Sequence, residues 1–306
     1  MLGRPALMLC ILLLFACEGE KKAVRIDLQK KEAIAVEKRF HGLTYAYLPR
    51  FSHRISYMRH NALINHLSEE TGLNIRQVFP DTFEEHVQMV GLGEIDISFS
   101  NPLVYVTISD RFAARAFARV IGEDGRTEFR GQIICREDNK AIREITDCRD
   151  MRWIAVDPLS AGGYLFALGH FRKLGIFSRD FRKIAFAPGP GAKQEKVVLA
   201  VYVGGYDVGS IQEGTLELVR DRVELSQIRI LDHTSWYPGW VFSSRHNLKE
   251  EILSEIKQTM FALDRSNPTH RTILRKAGFR GIVPAADGEF DRVRTLADTI
   301  KECPDE

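Results

Sequence analysis

A chain of 306 residues, 44% of them hydrophobic, has apolar material for one large core or two of ordinary size. Its 43 Lys and Arg against 41 Asp and Glu leave a net charge of +2 with the signs interleaved, so no broad field recruits nucleic acid. No low-complexity tract or short-period repeat is present, which excludes solenoid architectures.

The chain begins with Arg4 as a small positive region and an apolar run from Ala6 to Phe15, too short to span a bilayer comfortably. That layout is a secretory signal, and LFAC at Leu14 to Cys17 resembles the lipobox of bacterial lipoproteins, whose cysteine takes a lipid and becomes the new N-terminus. Residues 1–17 are therefore read as a lipoprotein signal peptide and 18–40 as a polar tether, with an ordinary signal and a chance cysteine as the competing reading. The expected location is the periplasmic face of a bacterial membrane; Glu18 leaves inner or outer membrane open. Cys135, Cys148 and Cys303 remain in the mature body, an odd number, and whether any two form a disulfide stays open.

From His41 onward short apolar runs alternate with amphipathic stretches, the signature of an α/β fold with a largely parallel sheet. Leu43 to Leu48 is the first strand. Ser52 caps the next helix, whose apolar face is read as Ile55, Met58, Ala62, Leu63 and Leu67, and Gly72 ends it. A strand at Ile75 to Phe79 precedes a Thr82/Glu85 capping box and a helix through Val87 and Val90. Ile95, Ile97 and Phe99 then alternate with polar residues as a strand that stops at Asn101-Pro102. The middle of the chain repeats the plan, with strands at Trp153 to Val156, Lys183 to Ala187 and Asp207 to Ile211, and helices at Tyr164 to Leu174 and Lys193 to Val203. Gly131 to Arg136 and Ile228 to Asp232 are strand-like and flank this unit, so two crossovers join two α/β units and form a hinge. A strand at Gly239 to Ser243 and a helix from Lys249 return to the first unit.

The strongest chemical signal is DPLSAGGY, Asp157 to Tyr164, between a predicted strand and a predicted helix. Ser160 offers a hydroxyl, Ala161, Gly162 and Gly163 allow close approach to backbone N–H groups, and a helix N-terminus favours an anion. A tight turn whose glycines serve only the backbone is the competing reading. Neither a P-loop lysine nor a dinucleotide fingerprint is present, and no GxSxG, HExxH or metal-ligand spacing marks an enzyme. His60 and His66 are read as surface residues.

The first strand followed by YLPR, the segment DISFSNPLVYV (Asp96 to Val106), DPLSAGGY and LAVYVGGYDVG (Leu199 to Gly209) occur in an order that resembles the substrate-binding proteins of phosphate, phosphite and phosphonate ABC transporters. The resemblance implies a two-lobed periplasmic binding-protein fold of type II, with a ligand cleft between the lobes and a two-crossover hinge. Lobe one is placed at 41–133 plus 233–306 and lobe two at 134–232. It further implies an exported, lipid-anchored monomer that captures phosphate, phosphite or a phosphonate for permease subunits, without cofactor, metal or catalysis. A sensing module of a signalling system and, more weakly, a secreted hydrolase are the alternatives. Site residues carried over are Ser160, Ala161, Gly162 and Gly163 from the second lobe and Tyr47, Asn101 and Tyr105 from the first. Where the family commonly has a His, this chain reads GAKQ with Lys193, either a point charge for the oxyanion or a solvated lysine. Asp207 resembles the family's strand-end acid, which accepts from a protonated or amine-bearing ligand, or else simply opens a strand.

Overall fold

The computed structural model describes residues 42–191 and 193–302; the expected signal peptide and tether, Cys17 and Cys303 lie outside them. In chain order, β1 (Leu43–Tyr47), α1 (His53–Thr71), β2 (Ile75–Val78), α2 (Phe83–Gly91), β3 (Ile97–Ser100), α3 (Pro102–Phe112) and β4 (Arg115–Ile121) begin a first sheet. After β5 (Glu128–Phe129) come β6 (Gly131–Arg136), β7 (Arg152–Ala155), α4 (Phe166–Lys173), β8 (Lys183–Phe186), α5 (Lys193–Tyr202), β9 (Val208–Gln212), α6 (Thr215–Val219) and β10 (Ile228–His233). The chain then returns through β11 (Tyr237–Pro238), β12 (Val241–Ser244), α7 (Glu250–Phe261), α8 (Pro268–Ala277), β13 (Gly281–Pro284) and α9 (Asp291–Glu302).

Two sheets result, ordered β13-β4-β12-β3-β1-β2 and β10-β6-β9-β7-β8. They are mixed rather than largely parallel. β1 runs parallel to β2 and β3, but β12 lies antiparallel to both β3 and β4 because it enters from the far side after the second sheet is complete. In the second sheet, β7 is parallel to β8 and β9, while β6 runs against β9 and β10. The two crossovers between sheets meet as a short antiparallel ribbon, Tyr237 opposite Phe129 and Pro238 opposite Glu128.

Local capping follows the sequence closely. Oγ of Ser52 accepts from the N–H of Ile55, Gly72 ends α1 at φ 68°, and Oγ1 of Thr82 accepts from the N–H of Glu85 at 3.0 Å. The Glu85 carboxylate reaches back one residue further than a capping box requires, to the N–H of Asp81 at 2.6 Å.

The buried face of α1 differs from the expectation. It is Ser56, His60, Leu63, Ile64 and Leu67, whereas Ile55 and Met58 are 46% and 59% exposed. The stripe keeps helical spacing but starts with two polar residues, which an apolar count passes over. His60 is therefore a core residue, not a surface one: it stacks on Tyr45, whose hydroxyl lies 2.6 Å from Nδ1. β3 is buried on both faces, including Ser98 and Ser100, since it is a central strand. Cys135 and Cys148 are buried free thiols.

Candidate functional site

Three chain segments converge where the sheets face each other. The first follows β1. Arg50 leaves the strand with its guanidinium 5.2 Å from the Phe51 ring centre and 5.9 Å from that of Trp240. Its Nε is buried without a hydrogen-bond partner, and no ion pair covers the group among the described residues. Burial pulls its pKa below the ordinary value, opposed by Tyr47 and Glu195, yet a guanidinium keeps its proton at neutral pH. The side chain as a whole is half-buried, and a cation withdrawn from part of its water without a counter-charge favours an anion beside it.

The second segment joins β3 to α3. Oδ1 of Asn101 caps the helix, accepting from the N–H groups of Leu103 (2.9 Å) and Val104 (3.1 Å), with Pro102 at the first helical position. Its Nδ2 donates across to the carbonyl of Leu159 at 3.1 Å. Asn101 thus ties the first sheet's carboxyl edge to the Ser/Gly turn of the second.

That turn is the third segment. Asp157 accepts from the Leu159 N–H through Oδ1 (2.9 Å) and lies 2.5 Å from Nζ of Lys193 through Oδ2. Oγ of Ser160 accepts from the N–H of Gly163 at 3.2 Å, which leaves its own hydrogen free to donate. Ala161–Leu165 winds as a single π turn running directly into α4, and the first N–H groups of such a segment have no partner inside the helix. A side chain at Gly162 would collide with Phe129, its Cβ only 2.8 Å from Cε2; one at Gly163 would collide with Val156. The glycines let the turn pack tightly and leave the backbone open to the cleft.

These segments enclose a recess of about 10 Å³, room for roughly one water-sized body, lined in part by Arg50, Asn101, Ser160, Ala161, Gly162 and Lys193. It adjoins a chamber of about 510 Å³, with Arg50, Phe129, Gln212 and Trp240 on both walls. Of the residues expected from sequence, Asn101, Ser160, Ala161, Gly162 and Lys193 come together here. Tyr47 lines the chamber, its phenol pKa raised by burial. Gly163 sits just behind, its N–H already donated to Ser160.

Two expected residues lie elsewhere. Tyr105 is wholly buried; its hydroxyl donates to Oδ1 of Asp287 (2.6 Å) and accepts from the N–H of Ala116 (3.1 Å), and burial with that carboxylate pushes its pKa up to about 12. Its ring packs on Phe290 because helix α3 turns that position away from the cleft. Asp207 forms a paired contact with Arg152, at 2.9 and 2.8 Å, which holds the acid below the usual carboxylate range. Since β7 and β9 are parallel, Arg152 and Asp207 mark their amino ends, whereas the Ser160 turn follows the carboxyl end of β7. A strand of this length separates them by roughly 13 Å.

Arg50, Gln212 and Trp240 were not expected in the site. Arg50 stands in the YLPR segment itself, and a lone arginine at a strand's carboxyl edge was the signal available.

A family model described as ABC transporter, phosphonate, periplasmic substrate-binding protein matches residues 45–290. The phosphate-import protein PhnD of Mycolicibacterium smegmatis is 22% identical over 311 residues, covering 94% of this chain and 93% of its own. Among solved structures, a binding protein component of an ABC phosphonate transporter from Pseudomonas aeruginosa superposes with a TM-score of 0.74 at 18% identity, covering 85% of this chain and 86% of that one. PhnD1 from Prochlorococcus marinus, in complex with methylphosphonate, gives 0.74 at 16% identity, covering 85% and 98%.

Proposed function

Because this chain belongs to the family of periplasmic substrate-binding proteins of phosphonate ABC transporters, we propose that its recess captures a phosphorus oxyanion: phosphate, phosphite or a phosphonate. The family is one of solute-binding proteins rather than enzymes, and the fold is the two-lobed α/β binding-protein fold. The single observation carrying the ligand reading is Arg50, a half-buried guanidinium whose Nε is buried and which has no ion pair among the described residues, lining the same recess as the Ser160 turn. Arg50 supplies charge, Ser160 and the amides of Ala161 and Gly162 supply directed donors, and Lys193 adds a second cation partly neutralised by Asp157.

In this reading the lobes expected at 41–133 plus 233–306 and at 134–232 shift by up to three residues at each crossover, so that β6 (Gly131–Arg136) and β10 (Ile228–His233) stay whole in lobe two. The recess is so small that the lobes part to admit ligand and close over it, flexing at the Phe129/Tyr237 ribbon. The closed form is what permease subunits recognise, and a lipid on Cys17 holds the monomer beside them. No helix of the described residues is long and apolar enough to cross a membrane.

Calorimetry with phosphate, phosphite, methylphosphonate and aminoethylphosphonate tests the ligand class. At least one gives saturable heat; silence from all four overturns the assignment. Labelled palmitate incorporated into the wild type and absent from Cys17→Ser tests the anchor, and label retained by the variant refutes it.

A further inference from the structure

We propose that this site prefers phosphorus oxyanions bearing a flat aromatic substituent, with the anion in the recess and the ring in the adjoining chamber; the proposal rests on the oxyanion reading above. Its physical basis is the mismatch between the two compartments. The recess holds about 10 Å³, and the chamber beside it about 510 Å³, within the roughly 300–1,000 Å³ that accommodates a whole organic ligand. A bare phosphate, or one carrying a methyl group, leaves that space to water.

The chamber is continuous with the anion end, because Arg50 and Trp240 wall both. Its surface beside Arg50 is aromatic: the Tyr47 and Trp240 rings lie 22° from parallel with centres 5.8 Å apart, and Phe99 sits 5.3 Å from Trp240. Trp236, half-buried, also lines the chamber, with the guanidinium groups of Arg126 and Arg130 4.4 and 4.6 Å from its ring centre. Arg59 also lines the chamber. Nε of Arg59 is buried without a hydrogen bond, while its Nη2 is spent on the carbonyl of Ala277. Flat rings cover such walls while giving up little conformational freedom, which a flexible alkyl chain cannot match.

Calorimetry on the whole chain compares phosphate, methylphosphonate and phenylphosphonate, and repeats the comparison in Trp236→Ala and Leu218→Ser. Both altered residues line the chamber and neither lines the recess. Phenylphosphonate is expected to bind about tenfold more tightly than methylphosphonate from ring burial and stacking. At least one variant should lose most of that preference while methylphosphonate affinity stays within about twofold. A preference below about threefold in the wild type, with methylphosphonate still bound, overturns this proposal and leaves the oxyanion reading standing. A preference that survives both variants overturns the placing of the ring. If none of the three compounds binds, both readings fall.

Discussion

Nζ of Lys193 lies 2.5 Å from Oδ2 of Asp157, and the two side chains keep only 13% and 11% of their exposure. The lysine is thus not a free cation waiting for an anion. Its charge is met inside the protein, and Asp157 is in turn fixed by the N–H of Leu159.

Opposite outcomes are expected from the two halves of this pair. Lys193→Met strands a buried carboxylate and should cost about 3 kcal/mol of stability by denaturant unfolding. Asp157→Asn keeps an acceptor for Leu159 and releases the ammonium toward the recess, so methylphosphonate affinity should rise about fivefold, roughly 1 kcal/mol. Unchanged affinity in Asp157→Asn would show that the lysine does not reach the ligand.

Arg50 carries the opposite expectation, since no ion pair covers it among the described residues. Arg50→Ala should weaken methylphosphonate by about 2–3 kcal/mol, on the scale of a charge-assisted hydrogen bond to a buried anion. Thermal stability should change little, because the buried, unpartnered Nε is removed along with the charge. Arg50→Lys should recover only part of the affinity, as an ammonium lacks the planar fork. Full recovery by lysine would argue for simple charge rather than directed donors.

Tyr105→Phe and Asp207→Asn should leave ligand affinity within about twofold, being bonded to protein partners outside the recess. Tyr105→Phe should still cost about 1–2 kcal/mol, since Asp287 loses a donor and the Ala116 N–H an acceptor. Asp207→Asn should act equally on amine-bearing and fully ionised ligands. A loss confined to aminoethylphosphonate would return Asp207 to the binding site.

Two buried histidines set a pH dependence. Burial lowers the pKa of His60 to about 3, with Arg59 adding to the effect, and burial alone lowers that of His86 to about 3. The folded state therefore favours the neutral rings, and unfolding takes up protons below the ordinary histidine pKa. Stability is complete above about pH 6.5 and falls as pH drops toward 3, by about 1.4 kcal/mol per pH unit for each ring well below 6.5. Denaturant midpoints between pH 7 and 5 should show this slope, reduced by about one proton in His86→Gln. A flat profile over that window would mean that neither ring resists protonation.

Much of the fold was readable from residues within a few positions of one another. Ser52, Thr82, Asn101 and Ser160 each accept from an N–H two or three residues ahead, so the chemistry that starts a helix is written beside the helix. The same holds for Pro102 at the start of α3 and Gly72 at the end of α1. β4 is not legible in the sequence because Arg115 and Arg119 interrupt its apolar pattern; both are answered by distant acids, Glu250 at 3.4 Å and Glu289 at 2.9 Å. The buried face of α1 departs from the apolar stripe because Ser56 and His60 hold core positions that hydrophobicity does not mark.

The site divides along the same line. The Ser/Gly turn and the Asn-Pro junction could be located from their own residues, and so could the preference of a helix start for an anion. Which charges remain for a ligand could not. Lys193 and Asp157 are 36 residues apart, Arg152 and Asp207 55, Tyr105 and Asp287 182. A carboxylate or cation has no fixed role until folding brings its partner within a few ångströms, and the tertiary packing here commits Lys193, Asp207 and Tyr105 while leaving Arg50 open.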